Sequence, residues 1–243
     1  MKCAPFVGQY AGGLAGNVSH REAFKTKDLF PLALPLELMR LWQLVAFCAL
    51  WIFGVLLYRF WPEPEISHAP GVLVPEEPEQ HLLSQTRMWQ HRDYWINPLA
   101  TFKLRARVLH KKSYVSGREA DLSPMDLALG WGPMSDQRVL DHLSISQFSR
   151  WYHVRYQKTI LPARSITRFS ANMHMIPARA EIEEMLERVR VGDIIALSGY
   201  LVSVRGNDGW RWRSSLTRED SGNGSCEVVW VEQLSIQGQA GSQ

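Results

Sequence analysis

Cysteine is scarce in this chain: Cys3, Cys48 and Cys226 are the whole complement, and no CxxC or Cys/His spacing links them. The pattern implies neither a disulfide framework nor a zinc site, so no metal and no cofactor is expected. A dominant charge sign is missing too. Residues 62–243 carry 21 basic and 21 acidic side chains, and a neutral balance is not that of a domain built to grip phosphate backbones. Nucleic acid is therefore not an expected partner. No internal repeat is found, and Ser214 and Ser215 lack the GxSxG context of a hydrolase nucleophile. With 46% hydrophobic and 21% charged residues, the chain nonetheless has the composition of a globular protein.

The longest uncharged stretch is LWQLVAFCALWIFGVLLY, Leu41 to Tyr58, in which Gln43 is the one strongly polar side chain. At about 1.5 Å per residue such a helix, with its flanks, approaches the roughly 30 Å of a bilayer core. Trp42 at one end, and Tyr58 and Trp61 at the other, suit the headgroup region. The segment 39–61 is thus expected to be a transmembrane helix, with residues 41–61 meeting the lipid. No small-x-small cleavage pattern follows it, which favours an anchor over a cleaved leader. Lys25, Lys27 and Arg40 precede the run and Arg59 follows it. By the positive-inside rule the N-terminus is cytoplasmic and the C-terminal domain extracytoplasmic, which in a bacterial inner membrane means periplasmic. Residues 1–38 show no amphipathic period and are expected to be a disordered tail, or sequence upstream of a start at Met39.

Five prolines and five glutamates in Trp61–Glu79 predict an extended spacer over 62–80. A soluble α+β domain is then expected over 81–237, with a flexible end at 238–243. ATFKLRARVLH alternates apolar residues with Lys103, Arg105 and Arg107, as a half-buried strand does. In ADLSPMDLALGWG, Ser123 as N-cap, Pro124 at the first turn and Asp126 in a capping-box-like position predict a short helix, with another after Ser135. SQFSRWYHVRY and SITRFSANMHMIPA read as strands, and ARAEIEEMLERVRVGD as an amphipathic helix ended at Gly192. IIALSGYLVSV, GWRWRSSL and CEVVWVEQLSI predict a meander whose last hairpin turns at TREDSGNGS. The expected fold is a curved antiparallel sheet, closing at most into a small, partly open barrel, with a covering helix.

Chemistry-bearing residues are few. Asn172 and His174 share a strand face with Arg168 and Ser170, a polar row able to line a cleft, and Cys226 is a candidate thiolate nucleophile. The competing reading makes Cys226 a free, buried small hydrophobe. His153, His174 and Glu227 could hold a metal only by tertiary convergence. Arg211 and Arg213 interleave with Trp210 and Trp212, so the arginines point outward and can join Lys103, Arg105 and Arg107 as a binding surface. The expected role is a binding or assembly module of a membrane or envelope complex, with a protein partner. Two alternatives stay open: an envelope hydrolase with its cleft at His174, and an oligonucleotide-binding-like barrel.

Overall fold

A computed structural model describes residues 6–9, 36–59, 65–158, 160–217 and 226–237. The chain divides into two units, Gly12–Pro64 and the remainder. The first holds α1 (Leu36–Arg59), whose stretch Arg40–Leu57 is long and apolar enough to cross a membrane. Every side chain from Arg40 to Leu57 is exposed, so this helix is not the core helix of a folded unit. The tail of residues 1–38 falls mainly outside the described residues, apart from the start of α1 and a short strand, β1 (Phe6–Gln9).

In the second unit the strands are β2 (Glu79–Leu82), β3 (Trp89–His91), β4 (Tyr94–Ser113), β5 (Met125–Gly130), β6 (Ser144–Phe148), β7 (Trp151–Tyr156), β8 (Ser170–Pro177), β9 (Ile194–Gly206), β10 (Arg211–Arg213) and β11 (Glu227–Ile236). Between them lie α2 (Arg118–Leu122), α3 (Gln137–Leu140), α4 (Ala163–Arg168) and α5 (Ala180–Arg188). The fold is mixed α+β, dominated by a large curved sheet of eight strands. Its pairings run β4–β5–β8–β11–β9, and β9 pairs again with β4 from Tyr94↔Gly206 to Arg107↔Ile194. All of these pairs are antiparallel except β8–β11, which is parallel. β6, β7 and β1 form a separate three-stranded sheet, with β1 parallel to β7.

Alternation explains the main core. Phe102, Leu104 and Ala106 of β4 meet Leu127 and Leu129 of β5, Met173 and Met175 of β8, Leu197 and Leu201 of β9, and Val229 and Val231 of β11. The helix α5 lays Ile182 and Leu186 onto the same core, as its 3.6-residue period predicts.

Four readings depart from expectation. MDLALG is the central strand β5 rather than a helix, buried at every position. Met125, Leu127 and Leu129 face the main core while Ala128 faces another cluster, so a two-sided burial masks the period that separates strand from helix. SQFSRWYHVRY breaks at Ser149–Arg150 into the β6–β7 hairpin, and SITRF winds into α4 before β8 begins. The three last strands do not form a meander. Both β10 and β11 pair with β9, which lies between them, and 218–225 of the predicted turn lies outside the described residues.

The proline-rich segment is extended, but from Glu65 it runs along the domain instead of leading to it. Val74 is wholly buried in the core, Gly132 N donates to Val74 O (2.7 Å), and Ile66 N donates to Val191 O (2.9 Å). Gly192 sits at φ +93°, where a Cβ would lie 2.0 Å from Ile66 O. The connection from α5 to β9 thus needs glycine for both conformation and space.

Asp136 locks this strap in place. Its Oδ1 accepts from Arg138 N (2.9 Å) at the start of α3 and from Gly71 N (3.0 Å), and its Oδ2 accepts from the Arg138 guanidinium (2.7 Å). Those bonds, the Arg138 side chain foremost, hold the carboxyl well below the usual carboxylate range despite its burial. A folded pKa below the unfolded value means stabilisation that is complete near neutrality and lost as pH falls below about 4. Unfolding midpoints measured from about pH 5 down to about pH 2 should therefore fall less steeply in Asp136→Asn than in the parent chain. Parallel curves would show that Asp136 is not responsible.

Candidate functional site

The face of β5 and β8 opposite the main core carries Asp126, Ala128, Ser170, Asn172 and His174, and β6–β7 packs against it. Ala128 joins Tyr152 and Val154 in an apolar cluster. Around that cluster the two layers meet through polar groups. Ser170 Oγ accepts from the Tyr152 hydroxyl (3.2 Å), and Asn172 Nδ2 donates to Arg150 O (3.2 Å). Gln147 Nε2 donates to Asn172 Oδ1, and Gln147 Oε1 lies 2.9 Å from His110 Nδ1.

Arg150 is the keystone. It follows Ser149 in the two-residue turn of the β6–β7 hairpin, and both adopt positive φ, +50° and +68°. Such a turn is twisted to suit a hairpin but usually carries Asn or Gly. Here a serine and an arginine bear the cost because the arginine is held from every side. Its Nη1 donates to Asp126 Oδ1 (2.5 Å), its Nη2 to Ser123 O (2.9 Å), and its backbone N to the Tyr114 hydroxyl (3.0 Å). The guanidinium lies 3.8 Å from the Tyr114 ring centroid, a cation–π distance. Burial, and then the Asp126 charge, push the Tyr114 hydroxyl up to about 12, so it stays a neutral donor.

His174 completes the group. Its Nδ1 lies 2.8 Å from the same Asp126 Oδ1, and its ring stands 4.8 Å from that of Trp212. Asp126 and His174 are both at zero exposure, and Arg150 is 7% exposed. A histidine oriented by a carboxylate is one element of nucleophilic catalysis. In this seam the carboxylate is shared with a cation that offsets its charge.

The residues singled out from sequence divide between this seam and the surface. His174 and Asn172 do share a strand face, but that face is covered by the β6–β7 layer rather than open as a cleft. Cys226 is buried just ahead of β11, within 3.7 Å of Asn172 Nδ2, and it is disulfide-bonded rather than a free thiol. Arg107 leaves the expected basic surface: it is 3% exposed, donating to Ser135 O (3.2 Å), Ile66 O (3.3 Å) and Gln137 Oε1 beneath the strap. Lys103 is exposed and Arg105 half-buried, and both line a cavity of about 510 Å³ with Glu76, Glu77 and Glu79. Arg105 lies 3.7 Å from Glu76 and donates to Gln237 Oε1 (2.6 Å), so acids offset the charge there. Arg211 and Arg213 are exposed on β10, with Trp212 buried between them. Among the described residues no group of three or more His, Cys, Asp or Glu side chains converges as a metal site would require.

Arg150, Gln147 and Tyr114 were not singled out from sequence, and Asp126 was read as part of a helix cap rather than of a site. The signal was there for two of them: Asp126 is the one charge inside an apolar alternation, and Arg150 interrupts a strand pattern. Comparison of the chain with protein-family models, with curated proteins and with solved structures gives no match.

Proposed function

We propose that this chain is a membrane-anchored binding module rather than an enzyme, with α1 crossing the bilayer once and the following domain offering its outer surface to a partner in a membrane or envelope complex. In this reading the N-terminus is cytoplasmic and the domain extracytoplasmic, periplasmic if the membrane is a bacterial inner membrane. One observation carries the choice of binding over catalysis: the His174–Asp126 pair is sealed in the seam and charge-compensated by Arg150, while Arg211 and Arg213 face out on β10 with no ion pair among the described residues.

The circuit β4–β5–β8–β11–β9–β4 further supports a small barrel of the oligonucleotide-binding kind, five strands in a Greek key with a helix, α5, between its third and fourth strands. Barrels of that kind take nucleic acid across the face of their second and third strands. Here those strands are β5 and β8, and that face is the one covered by β6–β7. The reading therefore keeps the barrel and gives up the oligonucleotide.

A single crossing has a structural cost. The β1–β7 pairing holds residues 6–9 and the domain on one side, whereas a helix crossing once between them separates the two. Insertion of α1 as a single span therefore requires that the β1–β7 pairing open.

Alkaline carbonate washing of membranes from expressing cells tests the anchor. The proposal predicts that the intact chain stays in the pellet, and that a chain lacking 39–61 is released. Release of the intact chain into the supernatant would end the membrane reading.

A further inference from the structure

Beyond the barrel circuit, β4 and β9 continue as a paired extension flanked by β3 and β10. Its register is regular: Gln90↔Trp95, Trp95↔Arg205 and Arg205↔Arg211 form one row, and Asn97↔Ser203↔Arg213 the next. Tyr94, Ile96, Val204 and Trp212 bury one face of this extension in an aromatic cluster. Strand alternation sends Trp95, Arg205, Arg211 and Arg213 to the other face, where all four are exposed.

This face is unusual in three ways. Arg205 and Arg211 stand directly opposite each other across a strand pair, an arrangement that like charges disfavour. None of Arg205, Arg211 and Arg213 makes an ion pair or side-chain hydrogen bond among the described residues; the neighbouring Asp208 is taken by Arg118 (2.5 and 2.7 Å). Beside them Trp95, at 36% exposure, is an indole left in water. Three uncompensated guanidinium groups around an exposed tryptophan match a surface that is anionic and partly apolar, which describes the headgroup layer of a bilayer containing acidic phospholipid.

We propose that this face docks on the anionic lipid surface of the membrane in which the chain is anchored, with Arg205, Arg211 and Arg213 on headgroup phosphates and Trp95 at the acyl boundary. The proposal rests on the anchored reading above. Charge and polarity argue for lipid: guanidinium groups suit headgroup phosphates, and an exposed indole beside them suits the boundary with the acyl layer.

The test uses the full chain reconstituted into vesicles of phosphatidylcholine alone, or of equal parts phosphatidylcholine and phosphatidylglycerol. Phenylglyoxal modification of individual arginines is followed by mass spectrometry, with exposed Arg188 on α5 as internal reference. Arg205, Arg211 and Arg213 should react more slowly in the phosphatidylglycerol vesicles, on the order of tenfold. High salt should restore their rates, and Trp95→Ala should weaken the protection without removing it. Equal rates in both vesicles would overturn the proposal, as would protection by an added single-stranded oligonucleotide in phosphatidylcholine vesicles. Loss of the chain from phosphatidylcholine vesicles under alkaline carbonate would instead overturn the anchor, so the two failures are distinguishable.

Discussion

Asp126→Ala is expected to lower folding stability by about 3–5 kcal/mol, the usual result of removing one partner from a buried ion pair. Its Oδ1 alone serves both Arg150 (2.5 Å) and His174 (2.8 Å) at zero exposure. Alanine would take the carboxylate from a buried guanidinium that also meets Ser123 O and the Tyr114 ring, and would remove the acceptor that fixes the imidazole. The Ser149–Arg150 turn would lose what compensates its positive φ. Asp126→Asn keeps a neutral acceptor in the same place and should fall between the two. Denaturant unfolding followed by tryptophan fluorescence is a suitable measurement, because Trp212 abuts His174. A cost below about 1 kcal/mol would mean that the seam is wet and the pair worth no more than a surface salt bridge.

Gly199→Ala should be at least as damaging, for a different reason. Gly199 lies mid-β9, paired on one side with Phe102 of β4 and on the other with Val231 of β11, beside the register shift between Val231 and Gln233. A Cβ there would stand 1.9 Å from Trp230 O and 3.1 Å from Glu232 N. Those are backbone atoms of the paired strand, so no rotamer relieves the contact and the β9–β11 pairing itself must move. We expect a folded yield near zero, or a loss on the order of 4 kcal/mol where folded protein is recovered. Gly209→Ala is the control. Unlike Gly199 it has positive φ (+89°), and nothing lies within 4 Å of its added Cβ, so it should cost about 1 kcal/mol from backbone strain alone. Equal protease resistance of the two variants would contradict the close approach at Gly199.

The sequence carried the fold unevenly, and the reasons are local. β4, β8, β9, β11 and α5 were legible because each buries one face and exposes or differentiates the other, so its period survives in the residue types. β5 was not, because both its faces are buried and Ser-Pro ahead of it imitates a helix start. The covering of β5 and β8 by the β6–β7 layer was invisible as well. A polar row of Ser170, Asn172 and His174 has the same alternation whether it meets water or a second polar layer, and only Arg150, arriving from 24 residues beyond Asp126, decides which. The basic residues divided for a similar reason: Arg107 and Arg105 look alike along β4, yet the strap from Glu65 to Val74 covers one fully and the other partly. Arg211 and Arg213 were read as outward-facing from alternation with the tryptophans, whereas the Arg205 and Trp95 that share the row of Arg211 come from strand register, which short-range pattern does not encode.

The proposed single crossing by α1 puts residues 6–9 and the domain on opposite sides of the membrane. Compartment-sensitive reporters fused in separate experiments before Met1 and after Gln243 test it most directly. The N-terminal reporter is expected to be active only on the cytoplasmic side and the C-terminal one only on the opposite side. Activity of both on the same side would contradict it, and would instead agree with the pairing of β1 on β7.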